Sequence, residues 1–368
     1  MSRARATLIA PPPPGEKQAP IESVLELTHL KDIDPNLFTN TRPLWHPPGA
    51  RGIFGGAVIA QCLSAAQQTV PANFTVHSMH CYFVLNGNAD IPVIFHVERI
   101  RDGRSFATRT VQARQRGQPI FTTTLSFTRE GSGGAVKVEH AHEMPAVPLP
   151  TPDDEGDEDI LRGGEKSPFM SHRLDLFNDE GTRPELKRAR QWVKARGRIS
   201  DEGGHQAHLS ALAYMSDSYF IGTVARVHKL WRYSSKGSKD ISKGGVNLEV
   251  VKALKAMDDD SLKKIDGIDE QIIDQLRNTE IQGDQIVMKK QRPEIGMMVS
   301  LDHTIYFHNP RNFRADEWML TEMDTPWAGD GRGLVFQRIY SQDGTLIASC
   351  VQEGVVRLRQ DEPGKAKL

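Results

Sequence analysis

The stretch "FGGAVIAQCLSAAQQTV", residues 54–70, constrains the first half of the chain more than any other. After Gly55 and Gly56, apolar residues recur at helical spacing and alanines fill much of the remaining surface. The apolar positions are Val58, Ile59, Cys62, Leu63 and Ala66. A thin helix that is apolar on nearly every side needs other elements to cover it, so this stretch predicts a helix enclosed by a sheet.

Four strand patterns follow this helix. They are "FTVHSMHCYFVL", "IPVIFHVERI", "SFATRTVQARQ" and "PIFTTTLSFTR", and Asp102-Gly103 is a strong hairpin signal between the second and third. We expect an antiparallel meander that curls around the helix.

The same order returns in the second half of the chain. The apolar helix pattern "HLSALAYMSDSYFIGTV" precedes the strand patterns "MVSLDHTIYFH", "EWMLTEMDT", "GLVFQRIYS" and "TLIASCVQEGVVRL", with an Asp343-Gly344 turn before the last. This repetition indicates an internal duplication. When the halves are aligned, Ser78 matches Asp302 and Leu125 matches Gln352, so the second copy carries polar groups where the first is small or apolar. The predicted fold is α+β, with two tandem antiparallel sheets, each wrapped around a long central helix.

Composition shifts divide the chain into segments. A Pro-rich, disordered N-terminus is expected over residues 1–20, the first helix-and-sheet unit over 21–130, and an acidic linker over 131–166. The second unit is expected over 167–358 and carries an insertion at 233–296, in which "NLEVVKALKAMDDDSLKKI" reads as one amphipathic surface helix. A tail follows at 359–368.

Overall composition narrows the classes of function. The 368 residues carry a formal net charge of -1, which offers no electrostatic reason to bind nucleic acid or an anionic membrane. No apolar run is long enough to span a bilayer, and the N-terminus lacks the apolar core of a secretory signal. Three scattered cysteines, Cys62, Cys81 and Cys350, do not form a disulfide framework or a zinc motif. A soluble protein of a reducing compartment, without metal or cofactor, is expected.

The final tripeptide is a candidate targeting signal. Ala366, Lys367 and Leu368 resemble the S-K-L peroxisomal signal, with one small residue in place of another. A frayed basic tail is the alternative interpretation. The tripeptide predicts recognition by a peroxisomal import receptor and a location in the peroxisomal matrix.

Three polar residues of the second unit are candidates for catalysis. Asp302, Thr325 and Gln352 lie on separate predicted strands, and singly each has a structural explanation: a turn cap, a strand end and a satisfied interior amide. Together a carboxylate, a hydroxyl and an amide can hold one water, with Asp302 as general base and the other two orienting it. Backbone N–H groups at the Gly55-Gly56 helix start, or at the second helix near Leu209, could face the developing oxyanion.

Several motifs carry a family resemblance in the right order. "RGIFGGAVIAQCL", "SMHCYF", "SLDHTIYFH", "DTPWAGDGRGLVFQRIYSQDG" and "VQEGVVR" resemble the acyl-CoA thioesterase II family, which includes peroxisomal members. The resemblance covers roughly residues 21–130 and 167–358 without the insertion. It implies a double hotdog fold, and it assigns catalysis to Asp302 of "LDH", Thr325 before "PWAG" and Gln352 of "VQEG".

The resemblance also implies a reaction and partners. It implies hydrolysis of fatty acyl-CoA to a free fatty acid and CoA in peroxisomal lipid metabolism, no cofactor beyond the CoA of the substrate, and a homo-oligomer. Gly55, Gly56 and His80 are further pocket candidates, and Arg51, Arg104 and Arg332 are candidates for contacts with the CoA phosphates. A hotdog hydratase or dehydratase, and a non-catalytic acyl-CoA-binding protein, remain as alternatives.

Overall fold

The structure is a computed structural model. It describes residues 13–15, 18–45, 52–151, 167–179, 183–230, 248–265, 268, 270–282, 285–288 and 293–360. Most of the predicted N-terminal segment, the acidic run of the linker and the AKL tripeptide lie outside these residues.

The helices and strands follow one another along the described chain in runs, with β3 to β8 after α2, helices α3 to α7 after β8, and β9 to β15 after α7. The helices are α1 (Pro20–Leu25), α2 (Gly55–Gln67), α3 (Gly204–Met215), α4 (Gly222–Val227), α5 (Leu248–Ala256), α6 (Asp259–Lys263) and α7 (Glu270–Arg277). The first eight strands are β1 (Leu27–His29), β2 (Leu37–Asn40), β3 (Phe74–Phe83), β4 (Ile94–Asp102), β5 (Phe106–Gln115), β6 (Gln118–Arg129), β7 (Phe169–Arg173) and β8 (Ala189–Ala195). The others are β9 (Thr279–Gln282), β10 (Gln285–Met288), β11 (Ile295–Ser300), β12 (Asp302–Phe307), β13 (Met319–Gly329), β14 (Arg332–Ser341) and β15 (Leu346–Leu358).

The two halves share one continuous antiparallel sheet. Its strand order is β1-β2-β4-β5-β6-β3-β12-β15-β14-β13-β8-β7, with β11 added beside β15. The halves meet where β3 pairs with β12, in the register Cys81 to His303 and Met79 to Ile305. Counted outward from this junction, the strands of the N-terminal half run β3, β6, β5, β4, β2, β1, and those of the C-terminal half run β12, β15, β14, β13, β8, β7. The two halves therefore have matching orders of paired strands. The predicted α+β double hotdog is the observed fold, with the two sheets fused edge to edge.

Helices α2 and α3 lie side by side on one face of this sheet, which we call the inner face. The apolar residues that predicted α2 are all buried, and Ile59, Cys62 and Leu63 are fully enclosed. They belong to one hydrophobic core that runs through both halves. Burial on nearly every side explains why α2 needs small residues around its circumference.

The opposite, outer face of the C-terminal half is partly covered by the linker. Met144 and Val147 pack against a cluster around Trp192, and the Trp192 indole N–H donates to Pro148 O at 2.9 Å. This contact removes a large aromatic side chain from water at a position that faces away from the helices. Residues 144–148 of the linker are therefore packed onto the sheet, whereas Val136 and Val138 before them are exposed.

The insertion has a hydrophobic cluster of its own. Helices α5, α6 and α7 contribute apolar side chains that pack together, and β9 pairs with β10 in a separate two-stranded sheet. The prediction of one long amphipathic helix was wrong, because Asp258 accepts a hydrogen bond from Ser261 N and begins a new helix. The apolar side of α5, including Val251 and Leu254, is buried in this cluster.

Two predicted elements are interrupted near the junction of the halves. The pattern read as one helix over 208–224 is α3 and α4 separated by a turn, in which Tyr219 has φ of +56°. The pattern read as one strand over 298–308 is β11 and β12, separated at Leu301. Both interruptions lie beside Gln352, and the first places Asp217 in a turn instead of inside a helix.

Candidate active site

Asp302 and Gln352 lie on opposite faces of the sheet. Asp302 Oδ1 accepts a hydrogen bond from Glu353 N at 2.7 Å, while the next residue, His303, is fully buried and bonds to Gln352. Because successive side chains alternate in β12, Asp302 projects to the outer face and Gln352, like His303, to the inner face. The predicted convergence of these two side chains on one water is therefore not found.

Thr325 is also separated from Gln352. Val335 is paired with Gln352, and the next strand, β13, carries Thr325 in an irregular stretch between Asp324 and Trp327. Two strand spacings amount to about 10 Å. Thr325 is buried, and its hydroxyl donates to Trp327 O at 3.3 Å. The Thr325 hydroxyl thus forms a hydrogen bond within a local irregularity of β13, and the structure does not bring Thr325 to Gln352.

Gln352 joins a different group of polar side chains. Its Nε2 lies 2.8 Å from Asp217 Oδ1 and 2.9 Å from His303 Nδ1. His303 Nε2 lies 3.0 Å from Ser216 Oγ, which donates to Ala213 O at 2.9 Å. We call Asp217, Gln352, His303 and Ser216 the polar cluster. It connects the end of α3 with strands β12 and β15.

The N-terminus of α2 completes this arrangement from the other half. The Gly56 backbone N–H bonds to Asp217. A Cβ at Gly55 would lie 2.6 Å from Asp217 Oδ2, and one at Gly56 would lie 2.2 Å from Tyr214 O. Both positions therefore need glycine so that the α2 terminus can approach Asp217 and the end of α3. Phe54, the N-cap residue, provides no side-chain cap, so side chains or ligands from elsewhere can use the N–H groups of this turn.

Burial shifts the acid–base behaviour of the cluster in opposite directions. Burial raises the pKa of Asp217 to about 6, although the bonds from Gln352 and the Gly56 N–H oppose the shift. Burial lowers the pKa of His303 to about 3, so His303 is a neutral imidazole at physiological pH. A carboxylate with a pKa of about 6 is ionised near neutrality and still basic enough to accept a proton.

The hydrogen-bond directions follow from this protonation. Gln352 Nε2 carries two hydrogens and donates one to Asp217 and one to the unprotonated Nδ1 of His303. His303 Nε2–H then donates to Ser216 Oγ, and Ser216 donates to Ala213 O. Gln352 Oε1 is buried and has no hydrogen-bond partner among the described residues. The amide is locked in place with its acceptor oxygen available beside the Asp217 carboxylate.

A hydroxyl also approaches this site from β11. Ser300 pairs with Gly354, and directly opposed residues in an antiparallel pair project to the same face. Gly354 faces the helices, since a Cβ there would lie 2.6 Å from Ile221. Ser300 is therefore a diagonal neighbour of Gln352 on the inner face, at about 7–8 Å between backbone positions.

The remaining predicted site residues divide between the two faces. Gly55 and Gly56 lie at the polar cluster, as described above. His80 is exposed on the outer face, where its Nδ1 lies 3.4 Å from Thr304 Oγ1. Arg332 is paired with Glu353 at 2.8 Å, Arg104 is exposed, and Arg51 lies outside the described residues. Within the described ranges, no group of three or more side chains has the arrangement of a metal site.

Asp217, His303 and Ser300 are the residues that sequence reasoning missed. Asp217 is a lone carboxylate in the apolar pattern "SALAYMSDSYFIG", which was interpreted as continuous helix. A carboxylate in such a pattern is costly to bury and was the available signal. The strand break at Leu301 had no comparable signal, and without it Ser300 and His303 cannot be assigned to one face.

Two family models match the chain. One describes the acyl-CoA thioesterase N-terminal domain and matches residues 42–128, and the other describes the acyl-CoA thioesterase C-terminal domain and matches residues 143–356. Among the described residues, no helix has the length and apolar character needed to cross a membrane.

Individual proteins agree with the family models. Human acyl-coenzyme A thioesterase 8 is 32% identical, over 94% of this chain and 92% of its own. The Saccharomyces cerevisiae peroxisomal acyl-coenzyme A thioester hydrolase 1 is 24% identical, over 95% of this chain and 97% of its own. The crystal structure of acyl-CoA thioesterase II TesB2 from Mycobacterium marinum covers 94% of this chain and 99% of its own, with 27% identity and a TM-score of 0.60. The chain belongs to the acyl-CoA thioesterase family and is a thioester hydrolase with a double hotdog fold.

Proposed function

We propose that this enzyme hydrolyses fatty acyl-CoA to a free fatty acid and CoA, with Asp217 as the general base and Gln352 as its partner on the attacking water. One observation carries the proposal: a buried carboxylate with a pKa raised to about 6 lies 2.8 Å from an amide whose oxygen has no partner among the described residues. This assignment replaces Asp302 and Thr325, which lie away from Gln352.

The geometry supports a direct attack by water. A water between Asp217 and Gln352 Oε1 would donate one hydrogen to each, which leaves a lone pair directed at the thioester carbonyl. Asp217 takes one proton as the water oxygen bonds to the carbonyl carbon. The C–S bond then breaks, CoA leaves as a thiolate, and the proton held by Asp217 passes to that sulfur or to solvent. This sequence needs no covalent acyl-enzyme and calls on no cofactor.

The start of α2 is the proposed stabiliser of the oxyanion. Phe54 provides no side-chain cap, Gly56 N–H bonds to Asp217 and Ala57 N–H donates to Phe54 O at 3.1 Å, so Gly55 N–H is the donor of this turn that we assign to the oxyanion. A developing negative charge beside these groups is stabilised by the hydrogen bonds and by the positive end of the helix dipole. Ser300 is available on the same face to hold the attacking water or the substrate.

A pair of carboxylate variants tests the base. Asp217→Asn keeps the shape of the side chain and removes the proton acceptor, so we expect kcat for release of CoA thiol from a panel of acyl-CoA chain lengths to fall about 10²- to 10⁴-fold. Asp302→Asn removes a carboxylate from the outer face and is expected to leave kcat close to that of wild type.

The result can contradict the proposal in two ways. If Asp302→Asn loses turnover while Asp217→Asn keeps it, the base is Asp302 and the outer face is the site. If folded wild-type protein binds acyl-CoA tightly and releases no CoA from any member of the panel, the thioesterase proposal fails. Circular dichroism of each variant separates lost chemistry from lost folding.

The proposed location is the peroxisomal matrix. Two observations support it: the tripeptide Ala366-Lys367-Leu368 resembles the S-K-L signal, and the yeast relative is named a peroxisomal acyl-coenzyme A thioester hydrolase. Recognition by a peroxisomal import receptor would follow. Deletion of Leu368 from a fluorescently tagged protein should leave it outside peroxisomes, and unchanged import would contradict the proposal.

The proposed assembly is a homo-oligomer formed through the outer face of the central strands. Aromatic side chains are exposed there on both sides of the β3–β12 junction, including Tyr82 at 61% and Tyr306 at 42%. Aromatic residues in an exposed patch favour association with another protein surface. Light scattering of wild type and of Tyr306→Lys tests this. We expect an oligomer for the first and dissociation for the second, and a monomeric wild type would contradict it.

A further inference from the structure

The inner face of the C-terminal half carries a line of buried polar residues. Gln352 on β15, Gln337 on β14, Thr321 on β13 and Gln191 on β8 are each at most 1% exposed. We call these four residues the polar diagonal. The line starts at the polar cluster and leads away from it beneath the helices.

The strand register defines this line. Gln337 is paired with Cys350, two residues before Gln352 on β15, so Gln352 and Gln337 are diagonal neighbours. Thr321 is paired with Ile339, two residues after Gln337 on β14, so Gln337 and Thr321 are diagonal neighbours in the same direction. Thr321 is paired directly with Gln191. Each diagonal step is about 7–8 Å, within reach of long side chains.

The N-terminal half has apolar residues at the same positions. With Leu125 matched to Gln352, the paired strands place Val111, Phe95 and Phe38 at the counterparts of Gln337, Thr321 and Gln191. All four are at most 1% exposed. The shared architecture therefore accepts apolar residues along the whole diagonal, and the polar side chains of the C-terminal half are not required by the fold.

Three of the polar side chains have atoms without partners. Neither Gln337 Oε1 nor Gln337 Nε2 has a hydrogen bond to a described residue, and the same holds for Gln191 Oε1 and Gln352 Oε1. Gln191 Nε2 donates to Ser218 O at 3.2 Å. A buried polar atom without a hydrogen-bond partner lowers the stability of the folded protein. Gln337, with a donor and an acceptor both unused, is the strongest case.

We propose that the polar diagonal recognises a hydrogen-bonding group on the acyl chain, with Gln337 as the specificity-determining residue. This inference rests on the proposed function. The acyl chain of a thioester held at Gln352 extends from the reaction centre, and the diagonal leads away from that centre on the inner face. The favoured substrates are acyl-CoA thioesters with a hydroxyl or keto group along the chain, because such a group can both use and satisfy the Gln337 amide.

The physical basis of selectivity is the unused amide. An unsubstituted chain over Gln337 leaves its donor and acceptor unpaired in an apolar environment, whereas a substrate hydroxyl pairs with both. Sites that hydrogen-bond a substrate group discriminate strongly against analogues that lack it. Ordered water on Gln337 is the competing explanation, and it predicts no preference between the two substrates.

The test is a ratio of kcat/KM values. Hexadecanoyl-CoA is compared with a series of its monohydroxylated derivatives in which the hydroxyl moves along the chain. We expect wild type to prefer at least one derivative by about tenfold, the effect of one added hydrogen bond. Gln337→Leu should remove this preference and bring the ratio of the kcat/KM values close to one, because the substrate hydroxyl loses its hydrogen-bonding partner.

Controls separate this inference from the proposed function. Gln275→Leu removes another buried amide with an unpartnered Oε1, in the insertion, and should leave the ratio unchanged. Activity of wild type with hexadecanoyl-CoA tests the thioesterase proposal independently. A wild type that is active but indifferent to every hydroxyl position would overturn the inference even if Gln337→Leu failed to fold, and so would a preference that survives Gln337→Leu.

Discussion

The N- and C-terminal halves of this protein share their architecture but differ in the chemistry of their inner faces. Both place a long helix against an antiparallel meander, and both contribute to one continuous sheet. Leu125 in the first half is a core residue, while its counterpart Gln352 bonds to Asp217 and His303. The fold tolerates either kind of residue at this position, so the architecture does not require the polar residues of the second half.

The comparison also shows that the halves depend on each other. The C-terminal half provides Asp217 and Gln352, and the N-terminal half provides the start of α2, where Gly56 N–H bonds to Asp217. Among the described residues, the carboxylate and the amide come from the C-terminal half, and the helix start in contact with the carboxylate comes from the N-terminal half. The duplication therefore produces one candidate site from two different contributions.

Exchanging the counterpart residues is expected to have the largest effect. Gln352→Leu removes both the amide oxygen for the water and the donor to Asp217, so kcat should fall about 10²-fold or more. Leu125→Gln buries an unpaired amide in the first half and should lower the free energy of unfolding by about 2–4 kcal/mol. Acyl-CoA hydrolysis and urea unfolding measure the two effects.

If the two variants showed the opposite effects, the assignment of a catalytic role to the inner face of the C-terminal half and a structural role to that of the N-terminal half would be wrong. Normal turnover in Gln352→Leu, or turnover lost in Leu125→Gln at temperatures where that variant is folded, would remove the distinction between a catalytic and a structural inner face.

A second variant examines the contact between the halves. In Gly55→Ala the added Cβ would meet Asp217 Oδ2, so the carboxylate must move, and kcat should fall by as much as about 10²-fold. Gly222→Ala is a matched control, because a Cβ at this first residue of α4 has nothing within 4 Å. Equal activity of the two variants would show that the Asp217 position at α2 is unimportant.

The pH profile of activity tests more directly whether the Asp217 carboxylate accepts the proton. Only the carboxylate can accept the proton, so kcat/KM should rise with pH through the pKa of about 6 and then level off. The same midpoint is expected in Asp302→Asn, because Asp302 lies on the other face. A profile that is flat between pH 5 and 7 would exclude Asp217 as the base.

The smallest expected effect concerns stability in acid. The folded state holds His303 with its pKa lowered to about 3, whereas the unfolded chain takes up the proton near 6.5. The unfolded state therefore binds more protons as the pH falls from 6.5 toward 3, and stability decreases in this window. His303→Gln should reduce this dependence, measured by urea unfolding, and the exposed His140→Gln should not. An identical slope in both variants would contradict this explanation.

Much of the fold could be predicted because its signals are local. The thin apolar pattern of α2, the alternation in β3 to β6 and the Asp-Gly turns each depend on neighbouring residues. Repetition of the same order then indicated the duplication. The insertion was harder, because Asp258 begins a new helix within a pattern that also fits a single one.

The candidate site could be predicted only in part. Gln352 was found because a polar residue replaced Leu125 in an otherwise matched pattern. Asp302 met the same criterion against Ser78, and Thr325 was proposed as a polar residue at a strand end, but strand alternation and an irregularity in β13 direct these two side chains elsewhere. The choice between Asp302 and Asp217 depends on which face of the sheet each side chain reaches.

Helix periodicity, strand alternation and turn chemistry were sufficient, from the residues alone, to establish a duplicated helix-and-meander protein, and its motifs indicated a thioesterase. The contact between Asp217, Gln352 and the start of α2 could be identified only from the tertiary structure. These residues are far apart in sequence, and they meet because β3 pairs with β12 and α2 packs beside α3. A local pattern carries no information about which distant carboxylate a buried amide will bond.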